Sequence, residues 1–465
     1  MALKSSKKLL LSLSIAAALG CSTGNAFADG DRVAELEARI IELEALVGQL
    51  LKQGNQPAPA PGPSAAEVEV MAEEVAALKV VELMAEHEAL EAEKVHKHSY
   101  KFGGYVKLDA MYSDFSGGSV ASGNIGRDFY IPGTVPVGVE GESYTDFHAK
   151  ESRINFKTSH NLDNGAKITT MLEMDFLATN DGNERVSNSY APRIRHAFFT
   201  YNKWLFGQTW MTFFNVGALP ENLDFVGPAE STIFGRQAMI RYTSGNWQFA
   251  AENPETTITP YEGKLCDAEG KNCVTRIVAD DNAMPDLVAR YNMKGSNGGS
   301  FTVAAIGREL AYKNNAAGIN SSETGYGLSV SGKWMVFGKD DIRWMASAGK
   351  GMGRYMGLNT ANAAVLDENG DLEAIDSWGM FGSYRHFWND KWRSNLTLGY
   401  LWVDNDTDNT GESVTKDAGS VHVNLIYSPQ PKLDFGIEFM YANREVESGI
   451  DGDLKRVQFS AKYAY

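Results

Sequence analysis

Eight arginines stand out by where they fall. Arg153, Arg193, Arg195, Arg241, Arg290, Arg343, Arg385 and Arg393 lie in segments where apolar and polar residues alternate, and each belongs to the polar set. Lys157 follows Arg153 at the same parity. A guanidinium is a planar fork of donors that meets a carboxylate with two hydrogen bonds, so a wall of them is chemistry for small organic anions. The plainer use is pairing with Glu173, Asp175, Glu438 or Asp109, and about half of the arginines are expected to be spent that way. A second pair with chemistry is Cys266 and Cys273 in LCDAEGKNCV. A polar hairpin between two cysteines in an oxidising compartment reads as a disulfide-closed loop, while zinc would need histidines that are not nearby.

The elements that must carry these arginines are strands. Residues 101–113 read KFGGYVKLDAMYS, with Phe102, Val106, Leu108, Ala110 and Tyr112 on one face and Lys101, Lys107 and Asp109 on the other. The same period of two recurs near 150–160, 165–177, 192–201, 203–210, 235–243, 246–252 and 286–294. Eight more such segments lie near 299–309, 324–335, 341–353, 376–387, 391–404, 418–428, 432–445 and 455–465. Short turns such as Ser244-Gly245 alternate with long polar loops, and that alternation is the pattern of an outer-membrane barrel. The expected fold is therefore all-β, a sixteen-stranded antiparallel transmembrane β-barrel spanning 99–465 and preceded by an α-helical coiled-coil segment. Sixteen strands enclose a lumen wide enough for water. The face holding Ile154, Leu172, Leu396, Leu398, Phe435 and Phe439 would meet lipid, and the arginine face would meet the lumen. The loop from Trp210 to Arg236 carries Phe213, Phe214, Leu219, Phe225 and Phe234, too apolar for water, and is expected to fold into the barrel and narrow it.

The net charge is −16, which argues against a nucleic-acid partner. Mean hydropathy is −0.29 and no run of apolar residues is long enough for a spanning helix. Lys4, Lys7 and Lys8 precede an apolar run from Leu9 to Leu19, and Ala26-Phe27-Ala28 offers a cleavage site, so residues 1–28 read as a signal peptide. Lipidation at Cys21 is the rival, with leucine placed one residue too late for it. Residues 29–53 form a coiled-coil stalk with Val33, Ile40 and Val47 at a and Leu36, Leu43 and Leu50 at d. β-Branched a with leucine d favours dimers, whereas Leu46 and Leu51 widen the seam toward trimers. A proline-rich linker occupies 54–64, and an Ala/Glu-rich helical segment 65–98.

No nucleophile elbow, zinc-protease helix or phosphate loop is present, and the histidines are scattered. His196 and Ser394 share the lipid-facing parity that a barrel-embedded hydrolase would need, but on well-separated strands. No catalytic residue, cofactor or metal is expected. The chain ends in RVQFSAKYAY, a strand carried to the last residue, which would pair with the first strand and close the barrel. Its final aromatic, Tyr465, resembles the C-terminal signal read by the barrel-assembly machinery.

The stretches GGYVKLDAMYSD (103–114), ESRINFKTS (151–159), PRIRHAFFTYNKWLFGQTWMTFF (192–214), GMGRYMGLN (351–359) and SYRHFWNDKWRSNLTLGY (383–400) resemble the DcaP-like outer-membrane porins. The resemblance implies a homotrimeric porin in the outer membrane of a Gram-negative bacterium, with its stalk in the periplasm, admitting small anions such as dicarboxylates by passive diffusion. The alternatives are an envelope-anchoring barrel with little selective transport, and a barrel hydrolase.

Overall fold

In the computed structural model the described residues are 79–81, 83–84 and 98–465, apart from 180–181, 184 and 267–272. The expected signal peptide, coiled coil and linker lie outside them, as does most of the Ala/Glu-rich helical segment. Lys97–Tyr465 form one compact unit.

Seventeen segments hydrogen-bond into one sheet, and two of them are parts of a single wall strand, so sixteen strands make the wall. We number them β1 (His98–Phe115), β2 (Glu142–His148 and Arg153–Asn161), β3 (Lys167–Asp175), β4 (Arg193–Tyr201), β5 (Trp204–Trp210), β6 (Arg236–Ser244), β7 (Trp247–Glu252) and β8 (Asp286–Lys294). The second half is β9 (Ser300–Asn314), β10 (Ile319–Met335), β11 (Asp341–Lys350), β12 (Asp376–Phe387), β13 (Trp392–Asp404), β14 (Thr415–Gln430), β15 (Leu433–Val446) and β16 (Asp451–Ala464). Every neighbouring pair is antiparallel, and β16 closes on β1 with Tyr105 opposite Ala464 and Phe115 opposite Leu454. Closure leaves no open edge, the condition for strands in lipid.

Side-chain alternation decides which surface faces out. Phe102, Ile154, Leu172, Leu398, Ile437, Phe439 and Tyr463 are all exposed, on a surface an aqueous protein would bury. The interleaved residues turn inward: Asp109, Asp175, Asn395 and Gln458 are buried within the barrel. Two-residue turns at one rim need positive φ, which Asn202 (52°) and Gly245 (58°) supply.

Three features depart from the sequence reading. The second strand is not one run of 150–160: residues 142–148, assigned to a loop by their polarity, pair with the upper half of β1, and the strand breaks at 149–152 before resuming. Two long loops form their own four-stranded sheet, from Thr256–Thr259, Ile277–Ala279, Ala364–Leu366 and Leu372–Ala374, over a small core of Ile258, Leu310, Leu366 and Leu372. The third is a β-bulge in β4, where the register against β3 shifts between Glu173–His196 and Met174–Ile194. Arg195 is the extra residue, and past it the parity of β4 is reversed.

The expected in-folding of the loop after β5 is present, and it has company. Phe213, Phe214, Ile233 and Phe234 from that loop pack with Phe129 and Tyr130 from the loop after β1, and with Met352, Tyr355 and Met356 from the loop after β11. Three loops thus build a hydrophobic core inside the barrel wall. Ile233 and Met356 form an isolated backbone bridge between two of them.

Candidate functional site

The lumen narrows where the loop after β5 lies against the wall, and there a cavity of about 300 Å³ remains. Its walls bring together Arg153 and Arg195 from β2 and β4, Arg393 from β13, Lys462 from β16, and Glu221 and Phe225 from the loop. The strands place these groups because every second residue must point inward. The loop reaches them because its phenylalanines leave water for the internal core.

One wall of this site is a stack of arginines on β2 to β6. Arg193 grips Asp175 with two bonds of 3.0 and 2.9 Å. Arg195, freed by the bulge to lie beside it, reaches Glu173 at 2.8 Å and Asp175 at 2.7 Å. Arg153 is 3.5 Å from the same Glu173, and its guanidinium lies 4.9 Å from the centre of the Tyr105 ring. Arg236, at the loop's end, stacks over Trp210 at 4.3 Å, and its Nη1 has no hydrogen-bond partner among the described residues. Three guanidinium groups thus share two carboxylates, and Arg236 beside them stacks on Trp210.

The opposite wall is balanced. Asp341 receives Arg343 at 2.8 Å and also Arg385. Glu221 from the loop accepts two bonds from Arg393, at 3.0 and 2.7 Å, and one from Arg385 at 2.9 Å. Asp434 adds a contact to Arg393 at 3.2 Å. Burial opposes the ionisation of Glu221, but the bonds and charges of Arg393 and Arg385 outweigh it and hold the carboxyl below its ordinary range.

Arg241 and Arg290 do neither job. Arg241 donates to the Trp210 carbonyl and the Thr212 hydroxyl, and Arg290 donates to the Phe214 carbonyl at 2.6 Å. They tether the loop by its backbone. Lys157 stands apart, exposed toward the short-turn end of β2 opposite Met171.

Glu438 and Asp109, expected to pair with arginine, are used otherwise. Glu438 meets His422 and the loop amides, while Asp109 meets Lys107 at 3.2 Å and Gln458 at 2.8 Å. The sequence reading missed Arg236, Lys107 and Lys462 as site residues. The parity of KFGGYVKLDA and RVQFSAKYAY already turned both lysines inward, whereas Arg236, where the loop meets the strand near 235–243, falls on the parity opposite to Arg241.

The hydrolase pair separates. The bulge turns His196 inward, where it is buried and its Nδ1 lies 2.9 Å from Thr209 Oγ1. Ser394 instead accepts a bond from Trp388 Nε1 at 2.9 Å, beside a shallow outer groove. Among the described residues no cluster could hold a metal ion. Cys266 and Cys273 are joined by a disulfide across the hairpin Leu265–Cys266 and Cys273–Val274. Tyr465 donates its amide to the Gly104 carbonyl at 3.1 Å, sealing the seam to β1.

Comparison with known proteins follows the same line. The family model of the DcaP outer membrane protein matches residues 77–465. Among solved structures, the outer membrane channel DcaP of Acinetobacter baumannii aligns with a TM-score of 0.64 at 22% identity, covering 80% of this chain and 98% of that one. The OmpT outer-membrane protein of Vibrio cholerae aligns at TM-score 0.47 and 9% identity, over 79% of this chain and 98% of that one. An anion-selective porin from Comamonas acidovorans aligns at TM-score 0.46 and 11% identity, over 79% and 100%. These last two add nothing to the reading at such scores. Comparison with curated proteins gives no match.

Proposed function

The chain belongs to the DcaP outer membrane protein family, and from that premise we propose that it is a passive porin whose narrowed lumen favours small organic anions such as dicarboxylates. The observation that supports this most is the uneven wall of β2 to β6, where Arg153, Arg193 and Arg195 share only Glu173 and Asp175, and Arg236 stacks on Trp210 beside them. A solute carboxylate would take the place of the missing counter-charge. Arg153 and Arg236 are the least satisfied of the four: Arg153 Nε lies 3.5 Å from Glu173 without a hydrogen bond, and Arg236 Nη1 has no hydrogen-bond partner among the described residues. Arg193, Arg195, Arg343, Arg385 and Arg393 set the field and hold the geometry. Arg241 and Arg290 add positive charge while tethering the loop. Lys157 extends the field toward the short-turn rim. The chemistry is that of selective pores generally: fixed charges of one sign lower the barrier for counter-ions without binding them tightly enough to trap them. The chain acts as a channel and not as an enzyme.

A homotrimer is the assembly this reading favours, joined through the barrels and through a coiled coil at 29–53 that would stand in the periplasm once residues 1–28 are removed. Assembly by the barrel machinery would read Tyr465.

Liposome swelling tests the solute class. A dicarboxylate should enter vesicles carrying the purified protein faster than a neutral sugar of equal size, and equal rates would count against the arginine wall. A second reading, a barrel that chiefly anchors the stalk to the envelope, draws on the three in-folded loops that fill part of the lumen. Swelling with neither solute would favour it.

A further inference from the structure

Along the β14–β16 wall, the constriction loop is held by buried ionisable groups. Glu230 sits on the turn Ala229–Ser231 and is fully buried; its Oε1 accepts from Ser420 Oγ at 2.8 Å, and its Oε2 has no partner among the described residues. His422 on β14 is also fully buried, with Nε2 3.2 Å from the same Ser420 hydroxyl and Nδ1 3.2 Å from Glu438 Oε1. Glu438 on β15 then carries the loop: it accepts from the backbone amides of Leu223 (2.8 Å) and Asp224 (3.3 Å) and from Asn222 Nδ2 (3.2 Å). Asp224 accepts the Val226 and Gly227 amides and the Tyr130 amide, and lies 3.7 Å from Arg456.

Charged and titratable groups face this set from several elements: β1 supplies Lys107, which donates to the Leu223 carbonyl at 2.9 Å and pairs with Asp109 and Glu151. β14 supplies His422, β15 supplies Glu438, and β16 supplies Arg456; the loop after β1 supplies the Tyr130 phenol, and Arg444 of β15 binds that loop's Val135 carbonyl. The constriction loop itself supplies Asp224 and Glu230. With His422 protonated and Glu230 neutral, Glu438 faces His422 and Asp224 faces Arg456, while Arg444 stands beyond Tyr130. Ionising Glu230 adds a negative charge in a place closed to water, where the Ser420 hydroxyl, the Tyr130 phenol and His422 offset only part of the cost of burial. Burial accordingly pushes Glu230 up to about 7.

We infer that Glu230, Ser420, His422 and Glu438 form a proton-dependent latch, which holds the constriction loop on the β14–β16 wall in mildly acidic medium and loosens as the pH rises through neutrality. The sign follows from linkage. A carboxyl whose proton is held more tightly in the latched state favours that state while it is protonated. The hold therefore declines once the pH exceeds the ordinary glutamate range, and the loss is complete above the latched value.

The inference rests on the channel reading for one readout only, so two are needed. Between about pH 6 and about pH 8, the population with the loop released should rise about tenfold, the factor linkage gives for one such carboxyl. Single channels in planar bilayers should leave their main conductance level that much more often. Independently of conduction, hydrogen exchange in the segment 219–231, corrected for intrinsic rates, should rise by the same factor. Glu230→Gln should flatten both responses. If that variant does not insert, Ser420→Ala removes the donor that stabilises the ionised form and should move the transition to higher pH. An exchange rate independent of pH in the wild type, a Glu230→Gln variant that keeps the rise, or a Ser420→Ala variant with an unmoved midpoint would each overturn the latch. Absence of conductance at every pH would count against the channel reading alone, since exchange still reports the loop.

Discussion

Each lumen arginine is defined by what its guanidinium finds within reach. Arg193 is fully occupied by Asp175, which is itself buried, so Arg193→Gln removes two charge-assisted bonds and leaves Arg195 to carry that carboxylate alone. We expect a loss of about 1–3 kcal/mol in urea unfolding of the reconstituted barrel, the usual cost of leaving a buried acceptor under-satisfied. Glu221 offers the reverse test. It neutralises parts of both Arg385 and Arg393 from a loop that can be changed without touching the wall. Glu221→Gln should leave Arg385 with Asp341 alone and Arg393 with Asp434 alone, and raise the anion-to-cation permeability ratio; a lowered ratio would mean that those arginines do not face the permeating ion. The parity of each arginine was legible in the sequence, since alternation alone fixes which face a residue joins. Glu173 and Asp175 were legible as partners on a neighbouring strand, but Glu221 was not, because it lies more than 160 residues from Arg385 and meets it only through the folding of the loop.

At the scale of elements, all sixteen wall strands could be read from period-two alternation and turn chemistry. The exceptions have physical causes. Arg195 makes a bulge that reverses the parity of β4, and nothing in PRIRHAFFTY distinguishes a bulge from a regular strand, so His196 was assigned to the wrong face. Residues 142–148 read as loop because this polar segment, ESYTDFH, lacks an apolar stripe. The apolar content of 210–236 did announce an in-folded loop. The same signal was present in Phe129 and Tyr130 and in Met352, Tyr355 and Met356, and those segments also enter the internal core. Apolar residues in a loop next to an aqueous lumen must find one another, and the shared core is where they do. The latch at Glu230, His422 and Glu438 could not have been found from sequence, because it joins one loop to two strands through side chains.

Over the whole molecule, the barrel depends on its last strand. β16 pairs with both β15 and β1, and Tyr465 continues the seam by its bond to Gly104. Deleting Tyr465 should lower the amount of protein assembled in the membrane, measured as the heat-resistant folded fraction, while channels that do insert keep wild-type conductance. Altered conductance with normal assembly would contradict a role in recognition. The charge map is uneven along the barrel. Long loops are acidic, as in 405–414, where Asp406, Asp408 and Glu412 have no basic neighbour in the loop. Arg153, Arg193, Arg195 and Arg236 gather instead along the wall of the constriction. Selectivity is set at the narrowest point, where water is thinnest and fixed charges are least screened, so the net charge of −16 does not predict its sign. The most direct check is the reversal potential of the purified protein in planar bilayers across a potassium chloride gradient at neutral pH. The arginine wall predicts a potential displaced toward the chloride equilibrium value; displacement toward the potassium value would contradict it.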